Sequence, residues 1–157
     1  TSFSEASFKI CGSSNPEPPI IPTLTIIMVF HKDYIKFVVI VSIMIKNLTK
    51  NKVLANDIKH CRSHFAKCRG LMFTKRLKDK GLIFYFPMEK KVSLHMFFVF
   101  YPIDVLWLNK DKEVVQMKKN FLPFSLISTE KPSCYIAELP NGIIETTNTE
   151  IGDRISF

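Results

Sequence analysis

The chain has 157 residues, enough for one hydrophobic core and too few for two domains of ordinary size. Hydrophobic residues at 46% and charged residues at 23% exclude extensive disorder, and a formal net charge of +8 favours acidic partners without naming one. Four cysteines, Cys11, Cys61, Cys68 and Cys134, stand at irregular intervals in a chain too large to rest on disulfides, so reduced thiols and a cytoplasmic location are expected.

Residues 1–43 read as an extension outside the main domain. "SSNPEPP" (Ser13 to Pro19) is polar and proline-rich, with no period that packs. From Ile20 to Ile45 the apolar residues fall in two blocks split by His31, Lys32 and Asp33. Each block is shorter than the roughly 20 residues a spanning helix needs, and a lysine or aspartate near mid-bilayer costs about 2.5 to 3.5 kcal/mol. A secretory leader would place positive charge before its apolar stretch, whereas the lead here is roughly neutral. Three readings remain: a membrane anchor, an interfacial segment, or upstream sequence joined to a domain that starts at Met44. The third is preferred, because Met44 directly precedes a strand-like stretch.

From Met44 onward the pattern predicts one mostly-β domain, 44–157. "MIKNLTKNKVLANDI" reads as two short strands around a polar turn near Lys50 and Asn51. The run from Cys61 to Arg69 reads as a short helix, with Gly70 where a left-handed cap would sit. After a turn at Lys80 and Gly81, "LIFYF" is a compact apolar run that Pro87 should stop. "HMFFVFYPIDVLWLNKD" (His95 to Asp111) is apolar enough to raise the question of a bilayer, but Pro102 would break a continuous helix. Splitting there predicts two soluble strands, "VSLHMFFVF" and "IDVLWLN", then a turn at "NKDK" and a strand "EVVQM". "CYIAELP" reads as a further strand, Asn141 and Gly142 as a turn, and "IGDRISF" as a turn feeding a last strand. The fold class expected is mainly β (α+β), a small antiparallel barrel or sandwich-like domain with one short helix.

The pieces "RGLMF" (Arg69 to Phe73), "GLIFYF" (Gly81 to Phe86), "LHMFFVFYPIDVLWLN" (Leu94 to Asn109), "AELPNG" (Ala137 to Gly142) and "GDRISF" (Gly152 to Phe157) occur in that order. Together they resemble the domain-of-unknown-function 192 family of bacteria and archaea, over most of the chain from about Met44. The resemblance implies a compact, mostly β, often barrel-like fold and no established activity. Many bacterial members carry a Trp-Met pair where this chain has His95 and Met96, so it looks closer to archaeal members. No role of that indole carries over to His95.

The polar residues inside the family-like motifs are Arg69, His95, Asp104, Glu138 and Asp153, and they are the candidate binding residues. Buried in apolar runs, such groups must be paired or face solvent. His95 with Asp104 or Glu138 would suit acid/base chemistry, since imidazole titrates near neutrality and a carboxylate can orient it. The plainer alternative is structural anchoring, and Asp153 reads as a cap on the turn at Gly152. His60, Cys61, His64 and Cys68 fall at helical spacing and are weak candidates for a metal, without a Cys-x-x-Cys pair. The basic run containing Lys67, Arg69, Lys75, Arg76, Lys78 and Lys80 suits nucleic acid or, more simply, a solvated loop. No nucleophile motif or glycine-rich phosphate loop appears. The sequence therefore points to a monomeric, cofactor-free binding or accessory module with an unidentified ligand or protein partner. A hydrolase-like enzyme and a nucleic-acid-associated protein are the alternatives.

Overall fold

The computed structural model describes residues 23–31, 34–42 and 44–157. Strands β1 (Thr23–His31) and β2 (Tyr34–Ser42) pair antiparallel, from Thr23 opposite Ser42 to His31 opposite Tyr34. The described part of the segment weighed as a membrane anchor is thus a pair of antiparallel strands, in keeping with its β-branched and aromatic residues. No helix among the described residues is long and apolar enough to cross a membrane. Ser13 to Pro19 and Cys11 lie outside the described residues.

Strands β3 (Ile45–Asn47) and β4 (Lys52–Ala55) form the expected hairpin around the turn at Lys50 and Asn51. β5 (Asp57–Cys61) follows, then helix α1 (His64–Arg69), shorter than expected because residues as far as Cys61 belong to a strand. Gly70 takes the left-handed conformation the helix end requires, with φ +44°. β6 (Lys80–Lys90) runs straight through Pro87, which was expected to stop it. It can, because the pairing with β5 ends at Phe84 and that with β11 (Ser133–Pro140) is irregular after Tyr85.

Of the predicted strand "VSLHMFFVF" only β7 (Ser93–His95) forms, pairing with β10 (Leu126–Ser128). The chain then loops to β8 (Ile103–Leu108), so the break at Pro102 is where the sequence placed it. β9 (Val114–Phe121) follows the Asn109 to Lys112 turn. After β11, a second helix not anticipated, α2 (Ile143–Thr146), leads to β12 (Ile155–Ser156).

The main sheet has order β5-β6-β11-β8-β9, antiparallel except for the β5/β6 pair, and a smaller sheet has order β12-β3-β4. The fold is mainly β and sandwich-like. Of the two forms expected, barrel or sandwich-like, no closed barrel forms among the described residues: the main sheet ends at β5 and β9, and the start of β9 is tied to the 152–155 segment by an isolated Glu113 to Arg154 bridge and not by a continuous ladder. Alternation divides the core in two. On one face Leu82, Phe84, Ile103, Val105, Trp107 and Ile136 pack together; on the other, Ile83, Leu106, Leu108, Ala137 and Leu139 meet Ile45, Leu54 and Ile155 of the small sheet. Each fully buried aliphatic or aromatic side chain contributes about 1.5 to 3 kcal/mol.

Gly81 sits where the two sheets meet. A Cβ there would stand 2.5 Å from Ile45 Cδ1, 3.2 Å from Ala55 Cβ and 3.3 Å from Leu139 Cδ2. Gly81→Ala should therefore cost about 1 to 3 kcal/mol by overpacking, read as a lower urea midpoint with an unchanged slope.

Candidate functional site

The one parallel pair in the main sheet requires the chain to cross over between β5 and β6. Residues 62–79 make that crossover, and only α1 within them is helical. The remainder is a loop held at a few points. Thr74 Oγ1 donates to the Leu71 carbonyl at 2.7 Å and meets the Tyr101 hydroxyl at 2.7 Å, while Phe73 N–H donates to the Phe98 carbonyl at 3.0 Å.

Under this loop lies a cleft of about 780 Å³. Ile58, Leu71, Leu77 and Leu82 supply apolar wall, and Lys59, Lys75, Arg76 and Lys78 supply cations around it. Asp57 and Asp79 also border the cleft, Asp57 paired with Lys80 at 2.8 Å, so five cations face two carboxylates around it. Gly70 and Leu71 are shared with a second, small cavity of about 70 Å³ on the α1 side, lined also by Lys67, Cys68, Arg69, His95 and Glu138.

Glu138 is the unusual residue of this cavity. Alternation along β11 turns it into the aromatic half of the core, opposite Val105 on β8. It is buried, its Oε2 has no hydrogen-bond partner among the described residues, and a Cβ on Gly70 would lie 3.9 Å from that oxygen. Burial pushes its carboxyl up to about 8, against a weaker opposing pull from Lys59. At neutral pH it is mainly the neutral acid, able to donate a proton or a hydrogen bond. His95 shares the cavity, with Nδ1 buried and unpartnered among the described residues, and its ring stacks on Phe97 at 5.0 Å.

Asp104 is not the partner of His95. It lies on the opposite face of the sheet from Glu138, where Oδ1 accepts from Asn120 N–H at 3.0 Å and Oδ2 from Ile144 N–H at 2.9 Å. It anchors β9 and α2. Asp153 accepts locally from Glu150 N–H at 2.9 Å, as a turn cap should, and also from the Asn47 side chain at 2.8 Å, tying the C-terminal turn to β3. Both aspartates are buried and satisfied, so neither is free to meet a ligand.

The helical spacing behind the metal candidates fails at its start. His60 and Cys61 are consecutive on β5, so they face opposite sides of the sheet. His60 Nδ1 lies 2.7 Å from the Tyr85 hydroxyl, while Cys61 is buried and its thiol is pushed up by desolvation, which makes it inert. Cys68 is exposed, and only the backbone of His64 is described. No group of three potential ligands forms among the described residues. Cys134, by contrast with the expectation of reduced cysteines, is disulfide-bonded.

The predicted basic run is dispersed. Lys67 lies over the Phe86 ring at 4.8 Å, Lys80 is paired with Asp57, and Lys75, Arg76 and Lys78 ring the cleft. Sequence reasoning missed the apolar wall, although "RGLMF" was singled out as a motif and contains Gly70 and Leu71.

The carboxyl of Glu138 makes stability depend on pH. Its folded value is raised, so between pH 4.5 and about 8 the unfolded chain gives up a proton that the folded chain keeps, and stability falls as pH rises through that window. Glu138→Gln should remove this decline. In urea titrations at pH 5 and 8.5, its stability relative to the parent should improve by roughly 2 to 4 kcal/mol at the higher pH. Parallel pH profiles would show the carboxyl to titrate normally.

The geometry can be set beside known proteins. The DUF192 family model, described as "Uncharacterized ACR, COG1430", matches residues 45–157. A UPF0127 protein of the archaeon Thermococcus sibiricus is 37% identical over 116 residues, covering 73% of this chain and 74% of its own. A solved protein of unknown function from Novosphingobium aromaticivorans superposes with TM-score 0.67 at 18% identity, covering 87% of this chain and 95% of its own. A solved Sinorhizobium meliloti chain gives 0.65 at 21% identity, covering 73% and 90%. At those identities the structures attest the fold alone. The archaeal source of the relative fits the expectation of an archaeal-type member, and the chain belongs to the DUF192 family.

Proposed function

We propose that this chain is a binding module for an anionic, largely apolar small molecule, held in the cleft beneath the 70–79 loop. The observation that carries this reading is the cleft's composition. At about 780 Å³ it falls in the range of small-molecule sites, with aliphatic side chains lining it and a surplus of cations at its border. An acyl or other apolar body would fill the wall, and a carboxylate or phosphate head would meet Lys75, Arg76 or Lys78.

A specific observation favours a second reading. Glu138 and His95 line one small cavity that adjoins the cleft through Gly70 and Leu71, and a buried neutral acid beside an unpartnered imidazole suits proton transfer. In that reading Glu138 is the general acid, His95 the base, and Arg69 an anion contact. His95→Ala and Glu138→Gln should then each lower hydrolysis of 4-nitrophenyl esters by about 100-fold or more, with folding intact. Turnover unchanged by both substitutions would dismiss this chemistry.

The binding reading is tested by thermal shift with decanoate and octyl phosphate, using octyl glucoside as the neutral comparison, all below their micelle concentrations. A ligand of the native state raises the melting temperature by mass action. The two anions should raise it and octyl glucoside should not, and Arg76→Glu with Lys78→Glu should weaken the anion effect about tenfold or more. No shift with either anion, or an equal shift with the neutral probe, would overturn the proposal.

A further inference from the structure

A second surface lies outside both cavities. In the 96–101 loop, Met96, Val99 and Tyr101 turn into the core while Phe97, Phe98 and Phe100 stand in solvent. Two other loops bring further apolar side chains to this place. Phe73, 70% exposed, stacks on Phe98 with ring centroids 5.0 Å apart, and Phe124 meets Phe100 edge-on at 5.6 Å. Leu126, 64% exposed, pairs in register with His95. The convergence is built by backbone hydrogen bonds, from Phe73 N–H to the Phe98 carbonyl and from Phe124 N–H to the Met96 carbonyl, both 3.0 Å.

The backbone is strained to hold these rings outward. Phe73, Phe98 and Phe124 have φ of 57°, 58° and 57°, a left-handed conformation that bulky residues rarely adopt. An apolar surface of this kind marks a docking site rather than chance exposure. Its charge setting is one-sided. The segments 67–76, 91–102 and 117–129 contain seven lysines and arginines and no aspartate or glutamate. Lys75 and Arg76 follow Phe73 closely, and the β8/β9 register, with Phe121 opposite Ile103, puts Lys118 and Lys119 at the sheet end where Phe100 emerges.

We propose that this aromatic edge is a peripheral docking surface for an anionic lipid bilayer, its rings entering the headgroup boundary while the flanking cations meet lipid phosphates. Cations near an anionic leaflet and apolar side chains at the interface act together in such binding. A single-stranded nucleic acid would need free ring faces for stacking. Here Phe73 and Phe98 cover one another, His95 and Phe97 do the same, and Leu126 offers no π face. Lipid needs only apolar area beside positive charge.

Co-sedimentation of the full chain with vesicles tests the proposal. Binding should occur with phosphatidylcholine and phosphatidylglycerol in equal parts, weaken as salt rises, and be absent with phosphatidylcholine alone. The combined variant Phe73→Gly, Phe98→Gly and Phe124→Gly suits the left-handed backbone at all three positions, so it should melt no lower than the parent and bind anionic vesicles at least tenfold more weakly. As a reporter that leaves the patch intact, Phe100→Trp should shift its emission to the blue on adding the anionic vesicles. Three outcomes would overturn the proposal. These are no binding to anionic vesicles, undiminished binding by the triple variant with no blue shift at position 100, or patch-dependent binding of a single-stranded oligonucleotide in place of vesicles.

Discussion

The architecture depends on two adjacent interior strands of the main sheet, β8 and β11, being buried on both faces. Every residue of Ile103–Leu108 is buried, and its neighbour across the ladder, Ser133–Pro140, is nearly so. Successive side chains on such strands enter opposite halves of the core, so a polar residue there must be satisfied or neutral. The two carboxyls answer this in different ways. Asp104 accepts two backbone N–H groups and holds β9 and α2 in place. Glu138, one rung along and on the other face, has no such donors at Oε2, and burial keeps its proton on.

That contrast separates scaffold from site. A carboxylate fully supplied with donors has little left to offer a ligand, whereas an unpartnered acid beside a cavity has its hydrogen-bonding capacity in reserve. The parallel β5/β6 pair adds the second ingredient. Because parallel neighbours cannot be joined by a tight turn, residues 62–79 must travel over the sheet, and with only α1 regular they roof a cleft instead of packing flat. Gly70, at φ +44° and close to Glu138, lines both the cleft and the small cavity.

The exposed aromatic edge and the cleft share this crossover loop. Phe73 belongs to the edge, while Thr74, Lys75 and Arg76 border the cleft. A surface that docks and a cavity that receives would thus be neighbours on one short segment. Lys75 and Arg76 follow Phe73 in sequence and also stand at the cleft border, so the same cations would serve both proposed roles.

Local chemistry in the sequence determined a good part of this. The Lys50 and Asn51 turn, the left-handed Gly70, the break at Pro102 and the strands on either side of Asn109 all follow from residue types whose backbone preferences act within a few positions. The linked motifs carried the family. Tertiary structure decided what lies at long range. Whether "HMFFVFY" continues as a strand depended on its partner, and β10 offers only a three-residue pairing, so the phenylalanines turn outward. Whether His60 and Cys61 share a helical face depended on β6 capturing their segment as a strand. Which of Asp104 and Glu138 faces His95 is a matter of one residue of register, and register is set by cross-strand packing that no local signal reports.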